Sequence, residues 1–402
     1  MPGDEKVVSV VACDSYERGE VLEAVRRSID LLGGLERFVS RGARVLVKPN
    51  LLQGASPDKC VTTHPEVVRA VSRLLQEYGC QVVIADSPGG GSIYTEGTLR
   101  RAYAASGWDE VARELGAELN LGTGYREVPN PEGKLVRRFL VIDPAVEADA
   151  IVVVSKAKTH VLTTMTGAAK NLFGVVPSLE KPSMHSRFPS VPEFSDMIVD
   201  LNQLIKPDLQ VMDAVMGMEG DGPNAGEPRR IGTILASGDY TALDSVAARL
   251  MGLDPLEVGT IEAAARRGLV GQDLSEVVTV GDPIERFLVK DFKRPRTLRK
   301  EKGYKQMPWA AAALSLVRAY SLKPKVDQAK CTGCGQCVRI CPRQTISLSR
   351  GKARIDTGRC IRCYCCHETC GFRAISLRRS LGGRAMAKLV ERGQRPGHPG
   401  PD

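Results

Sequence analysis

Cysteines recur twice at fixed spacing toward the C-terminal end of this 402-residue chain. The first run is Cys331, Cys334, Cys337 and Cys341, followed by Pro342; the second is Cys360, Cys363, Cys366 and Cys370, followed by Gly371. Both read C-x2-C-x2-C-x3-C, an iron–sulfur spacing in which three thiolates on one tight loop hold three corners of a cubane and the fourth reaches a second cluster. On that rule Cys331, Cys334, Cys337 and Cys370 hold one [4Fe–4S] cluster, and Cys360, Cys363, Cys366 and Cys341 hold the other. The flanks repeat too: Val326-Asp327 and Ile355-Asp356 lead in, while Thr345 to Leu348 and Ala374 to Leu377 follow. Such internal duplication sets the spacing apart from chance. A zinc module would instead place two separated ligand pairs around one tetrahedral ion. Two departures stand out. Gly371 occupies the usual proline position, which loosens that turn and favours a more labile cluster, and Cys365 is an additional thiol able to compete as a ligand.

A second set of reactive side chains follows short apolar runs. Lys156, Lys158, His160 and Lys170 surround one expected strand end and make an electropositive pocket suited to a carboxylate or phosphate. A lysine whose pKa is lowered by cationic neighbours also serves as acid, base or nucleophile, so these four are the candidate catalytic residues. Lys48, Asn50, Asp86, Ser87, Gly89 and Asn171 are the candidate substrate-binding residues. The alternative for Lys156, Lys158, His160 and Lys170 is a solvated loop. Gly89 to Gly91 lets backbone N–H groups approach an anion, but the run is neither G-x-G-x-x-G nor a P-loop, and a plain surface turn accounts for it equally. His64, His160 and His185 with Asp86 would form a mononuclear metal site only if separate loops converged.

The elements that must position these groups alternate between strand and helix. Apolar runs at Val7 to Ala12, Arg44 to Val47, Gln81 to Ala85, Ile151 to Val154, Leu209 to Met212 and Ile231 to Ala236 read as strands. Helical patterns span Val21 to Val39, Thr63 to Tyr78 with Thr63 as N-cap, and Thr241 to Met251. The expected fold class is α/β, a mostly parallel sheet covered by helices, with a small C-terminal α+β domain. The polar loops then sit at the carboxyl ends of the strands, where such sheets bind ligands. The α/β domain is expected over 1–282 and a basic, Ala-rich helical linker over 283–322. The two-cluster domain then covers 323–378, followed by a basic, disordered tail over 379–402. The apolar stretch Met307 to Val317 is too short to span a bilayer. It reads as a packing helix rather than a membrane-surface anchor, because Ala binds membranes weakly.

Composition bounds the function classes. At 43% hydrophobic and 26% charged residues, the chain is that of an ordinary globular protein. The net charge of +9 is concentrated in Lys290 to Lys305 and after Ser376, with no nucleic-acid motif or interleaved aromatics, so no nucleic-acid partner is expected. No apolar stretch reaches membrane-spanning length, and Met1 to Lys6 lacks a signal-peptide layout. Thiolate ligands call for a reducing compartment, here the cytoplasm.

The loops resemble the family catalogued as domain of unknown function 362, often found fused to a bacterial-type ferredoxin module. The matching residues are Lys48-Pro49-Asn50-Leu51, Thr63-His64-Pro65, Asp86-Ser87-Pro88-Gly89 and Lys156-Ala157-Lys158-Thr159-His160. Thr166-Gly167-Ala168, Lys170 to Gly174, His185, Asp213, Gly220-Asp221-Gly222-Pro223 and Asp244 also match. The likeness runs from about Val45 to Gly252, and the cysteine repeat resembles the ferredoxin module. The N-terminal half is also similar in layout to nickel-pincer lactate racemases, a fold-level analogy. The family supplies no reaction. The residues point to an iron–sulfur oxidoreductase or electron-transfer protein. Two [4Fe–4S] clusters would relay electrons between a redox partner protein (ferredoxin, flavodoxin or reductase) and an anionic substrate in the α/β domain. The alternatives are a non-catalytic ferredoxin-like carrier and an iron–sulfur redox sensor or maturation protein.

Overall fold

Runs of β-branched residues buried on both sides need helices on both sides, and the computed structural model of the chain shows this arrangement. It describes residues 6–89, 94–177, 180–295, 323–341, 343–362 and 364–378. Cys363, Pro342, Gly90, Gly91, the expected helix from Met307 to Val317 and the tail from 379 lie outside the described residues. The chain begins with β1 (Lys6–Ala12), α1 (Arg18–Asp30), β2 (Arg44–Pro49), α2 (Pro65–Tyr78) and β3 (Gln81–Ile84). The first helix stops at Asp30 instead of reaching Val39, because Gly33 and Gly34 both adopt positive φ and break the helical path. α2 is capped by His64 rather than Thr63. His64 Nδ1 accepts from the Glu66 N–H at 3.3 Å. Thr63 is otherwise engaged: its hydroxyl donates to the Val154 carbonyl (2.7 Å) and accepts from Asn50 N–H (2.8 Å).

The next elements are α3 (Glu96–Ser106), α4 (Trp108–Leu115), β4 (Glu118–Leu119), β5 (Tyr125–Pro129), β6 (Arg138–Ile142) and α5 (Asp143–Glu147). After them come β7 (Ala150–His160), β8 (Thr164–Met165), α6 (Gly167–Asn171), α7 (Glu180–Arg187) and α8 (Val191–Ile205). The domain closes with β9 (Leu209–Glu219), β10 (Glu227–Ser237), α9 (Tyr240–Leu250), α10 (Gly259–Arg266) and β11 (Val277–Gly281). The main sheet has the order β11-β1-β10-β9-β7-β2-β3-β4, with β8 paired to the end of β7. Along that order only β10 runs against the rest, so the fold is α/β with a mostly parallel sheet.

Side-chain alternation divides the core into two layers. Val45, Val47, Val152 and Val154 face one side, packed with Val67, Val71 and Trp108 from the helices. Leu46, Ile151 and Val153 face the other, with Phe194, Ile198 and Val246. The second layer continues past residue 282, the boundary expected from composition, through buried Phe287 and Phe292.

The C-terminal module is small and antiparallel. β12 (Lys323–Val326) pairs with β15 (Ile375–Arg378), and β13 (Ile346–Ser349) with β14 (Lys352–Ile355). Short helices Gln336–Ile340 and Cys365–Glu368 lie between them. Val161 of the sheet domain forms a small buried cluster with Tyr364 and Leu377 of the module. Asn224 Nδ2 donates to the Cys370 carbonyl at 3.4 Å, and His367 Nε2 lies 3.4 Å from the Asp221 carbonyl. Among the described residues no helix is long and apolar enough to cross a membrane.

Candidate functional site

The carboxyl ends of β2, β3 and β7 open into a cleft of about 630 Å³. The sheet domain supplies its floor and the iron–sulfur module part of its wall. At the floor, Lys48 is fully buried and donates to Asp86 Oδ2 (2.5 Å), the Pro49 carbonyl (2.9 Å) and Asn171 Oδ1 (3.0 Å). An ammonium only donates, so this contact fixes which end of the Asn171 amide faces it. Asn50 Nδ2 donates to the same oxygen at 2.8 Å. Burial lowers the pKa of Lys48 and raises that of Asp86, while their mutual attraction opposes both shifts. Gly174 crosses over this pair: a Cβ there would stand 2.5 Å from Asp86 Oδ1 and from Lys48 Nζ. Asn50 Oδ1 and Asn171 Nδ2 have no hydrogen-bond partner among the described residues, and both residues line the cleft. They offer an acceptor and a donor to an occupant.

Three lysines surround that floor: Lys158, Lys170 and Lys181. Lys158 is buried and donates to the Val61 carbonyl at 2.6 Å. Lys181 is buried as well, and its ammonium donates to the carbonyls of Ser87 and Pro88 (3.3 Å to Pro88) and to Ser87 Oγ (3.3 Å). Burial pushes its pKa down to about 7, with Asp86 pulling the other way and Lys48 and Lys170 adding to the fall. The only acid lining the cleft, among the described residues, is Asp86, which Lys48 already balances. Among the described lining residues, three lysines thus stand against one carboxylate. Sequence reasoning missed Lys181. Its one signal is the i,i+4 spacing to His185 on α7, which puts both side chains on one helix face; both line the cleft. His185 stacks on Phe194 with ring centroids 4.3 Å apart.

The four candidate catalytic residues separate. Lys158 and Lys170 share the cleft, whereas Lys156 and His160 do not line it. A register shift between β7 and β9 moves the pairing from Lys156 opposite Asp213 to Lys158 opposite Met218. Lys156 Nζ is thereby held by Asp213 Oδ2 (2.7 Å) and Tyr16 Oη (2.8 Å). Tyr16 donates to Asp213 Oδ1 at 2.8 Å and stacks on His64 at 3.6 Å between centroids. Burial brings the His64 pKa down to about 4, so the ring is neutral. His160 is fully buried, and its Nδ1 accepts from the N–H groups of Leu162 (3.1 Å) and Thr163 (3.2 Å), so it organises a turn. Of the candidate binding residues, Asn50, Asp86, Gly89 and Asn171 line the cleft; Lys48 and Ser87 support it through Asp86 and Lys181. The three histidines of the imagined metal site have separate tasks, and no three His, Cys, Asp or Glu side chains converge on a single ion among the described residues.

Asp244 holds the cleft from behind. Its carboxylate accepts from the N–H groups of Ala168 (2.6 Å) and Ala169 (3.1 Å) at the start of α6, the helix that carries Lys170 and Asn171. Burial raises its pKa to about 7. Gly167 has positive φ, and a Cβ there would fall 2.3 Å from Asp244 Oδ1, so only glycine lets the carboxylate approach.

Two cavities in the module are lined by cysteines. Cys331, Cys334, Cys337 and Cys370 line one of about 350 Å³; Cys341, Cys360, Cys365 and Cys366 line another of about 300 Å³. The first cavity offers a four-thiolate donor set, the set that a cubane takes at this cysteine spacing. Backbone N–H groups point at the sulfurs: Ala374 to Cys370 (3.2 Å), Thr345 to Cys341 and Arg362 to Cys360 (3.3 Å each), and Ala353 to Cys331 (3.4 Å). Donors of this kind stabilise cluster thiolates and tune their potential. Cys365 is the residue common to the cleft and the second cysteine cavity.

Two family models match separate parts of the chain. The family model described as domain of unknown function (DUF362) matches residues 45–249. The model described as 4Fe-4S binding domain matches residues 324–347, which span the first cysteine run. The chain is 35% identical over 294 residues to the thylakoid-associated protein sll1697 of Synechocystis sp., covering 73% of this chain and 89% of that one. Among solved structures, the lactate racemase apoprotein from Thermoanaerobacterium thermosaccharolyticum aligns with a TM-score of 0.36 and 14% identity, over 60% of this chain and 56% of that chain. A likeness at that level carries no argument about chemistry.

Proposed function

The chain belongs to the family described as domain of unknown function (DUF362), joined to a 4Fe-4S binding domain, and on that premise we propose an iron–sulfur oxidoreductase acting on a small anionic substrate held in the lysine cleft. The observation that carries this reading is Cys365, which borders both the cleft and a cysteine cavity, so substrate site and cluster site share a wall. Two [4Fe–4S] clusters are assigned. Cys331, Cys334, Cys337 and Cys370 hold the first; Cys360, Cys366, Cys341 and Cys363, the last outside the described residues, hold the second. Bound there, such clusters supply one-electron chemistry that side chains lack.

The protein's own groups do the rest. Lys158 and Lys170 bind a carboxylate or phosphate, and Asn50 and Asn171 orient it. Leu52, Phe173, Pro223 and Ile340 exclude water, which strengthens every charge contact inside. Lys181, with a pKa near neutrality, is the group suited to give or take a proton at Nζ. A plain electron carrier has no use for a lysine-lined cleft behind its cluster, so the enzyme reading is preferred. The thiolate sites favour the reducing cytoplasm.

Anaerobically purified protein tests this. Iron and sulfide should match two cubanes, and dicarboxylates or phosphorylated compounds should perturb the electron paramagnetic resonance signal of the reduced protein. Lys158→Met and Lys170→Met should each weaken that response about tenfold, the scale of one charged hydrogen bond. Cys365→Ser should retain full iron and change the response. Full cubane content with no response to any anion would refute the enzyme reading, and loss of iron in Cys365→Ser would make that thiol a ligand instead.

A further inference from the structure

The iron–sulfur module has a second face, whose cavity shares no lining residue with the cleft. We propose that this face, built around Cys334, Leu348 and Phe372, is the docking site for an acidic one-electron carrier protein. The inference rests on the reading that the cysteine cavities hold clusters. Cys334 is exposed, whereas Cys331 and Cys337 of the same loop are buried, so the first cavity meets solvent at Cys334. Leu348 and Phe372 stand at its edge, 47% and 52% exposed, and both line the cavity. A single exposed apolar side chain needs no explanation. Two of them bordering an exposed cluster thiol make an apolar contact where short-range electron transfer needs one.

The charge around this face names the partner. Residues 323–378 contain twelve Lys or Arg against three Asp or Glu. Exposed Arg339 reaches the Cys334 carbonyl at 3.4 Å, and Arg339 and Leu348 both flank Gly335. The exposed turn at Arg350-Gly351 packs on Gly333, where a Cβ would fall 2.1 Å from the Gly351 carbonyl oxygen. Exposed Arg373 follows Phe372. A basic ring around an apolar centre steers and orients an acidic protein, and its rim charges act chiefly on encounter. Reduction through this face is balanced simply: the carrier loses one electron, the chain gains one, and no bond or proton moves.

The test uses full-length, anaerobically purified protein and an acidic bacterial flavodoxin, with affinity measured by titration calorimetry at low and high salt. Arg339→Glu with Arg350→Glu should weaken binding at least tenfold at low salt, and the gap should close as salt screens the rim. Leu348→Ser with Phe372→Ser should weaken binding at both salt concentrations. Because Phe372 borders the cavity, iron is assayed for every variant, and the arginine pair alone suffices to judge the proposal. Unchanged affinity in the arginine variant, or no binding by the wild type, would overturn it. Purified wild type without cluster iron would overturn the parent reading, and that result is visible before any titration.

Discussion

Replacing Lys181 with methionine should make the sheet domain more stable at mildly acidic pH and impair the cleft. The Lys181 pKa falls from the ordinary 10.5 to about 7 on burial. At about 1.4 kcal/mol per pH unit, that gap corresponds to roughly 5 kcal/mol of penalty for keeping the ammonium folded at any pH below about 7. Its hydrogen bonds to Ser87 and Pro88 offset part of this, and leaving those acceptors unmade costs about 1–3 kcal/mol. Lys181→Met should therefore gain roughly 2–4 kcal/mol near about pH 6. The sign then changes with pH. Because the folded pKa lies below the unfolded one, the unfolded chain binds more protons between about 7 and 10.5, and wild-type stability rises through that window. The variant lacks this rise, so near about pH 10 it should be the less stable protein, by the lost hydrogen bonds alone. Denaturant unfolding followed by the fluorescence of Trp108, buried in the sheet domain, reads the difference directly. A stability difference that stays constant across pH would refute the buried-ammonium argument. Anion affinity should fall in the same variant.

Two further substitutions probe the supporting structure. Asp213→Leu leaves Lys156 buried without its counter-charge and should cost about 3–5 kcal/mol, most of it recovered by adding Lys156→Met, as thermal unfolding of the single and double variants will show. Gly174→Ala drives a methyl group into the Lys48–Asp86 pair, which should cost about 1–3 kcal/mol and weaken anion binding through the displaced Ser87 N–H···Gly174 carbonyl bond of 3.0 Å; unchanged affinity by calorimetry would count against that pair as the cleft floor.

The parts of this molecule legible in its sequence are those set by local spacing. Cysteines three and four residues apart must share a loop, and the described cysteines of both runs line cavities. Apolar runs between helical patterns locate the parallel strands, and with them the end of the sheet where the cleft lies. Short or exposed elements carry no such signal: β4 has two residues, and β5 exposes most of its length. Long-range pairing was equally invisible. Alternation places Lys156 and Lys158 alike, and only the shifted register against β9 gives one to Asp213 and the other to the cleft. Lys181 escaped notice because its partners Ser87 and Pro88 lie more than ninety residues away in sequence. His64 took the cap expected of Thr63 because Thr63 was already committed to β7 through Val154.

Ile340 and Cys365 belong to the iron–sulfur module, yet they close the cleft of the sheet domain. On the proposed function, selectivity and redox wiring would be encoded in the same short helices and could not be exchanged separately. A chimera carrying a foreign cluster module would inherit a differently shaped reaction chamber along with new redox properties. The sheet domain expressed alone would present its lysines to open water, where they grip anions weakly. On the same reading, substitutions at Ile340 or Cys365 would alter what the cleft accepts without touching a lysine.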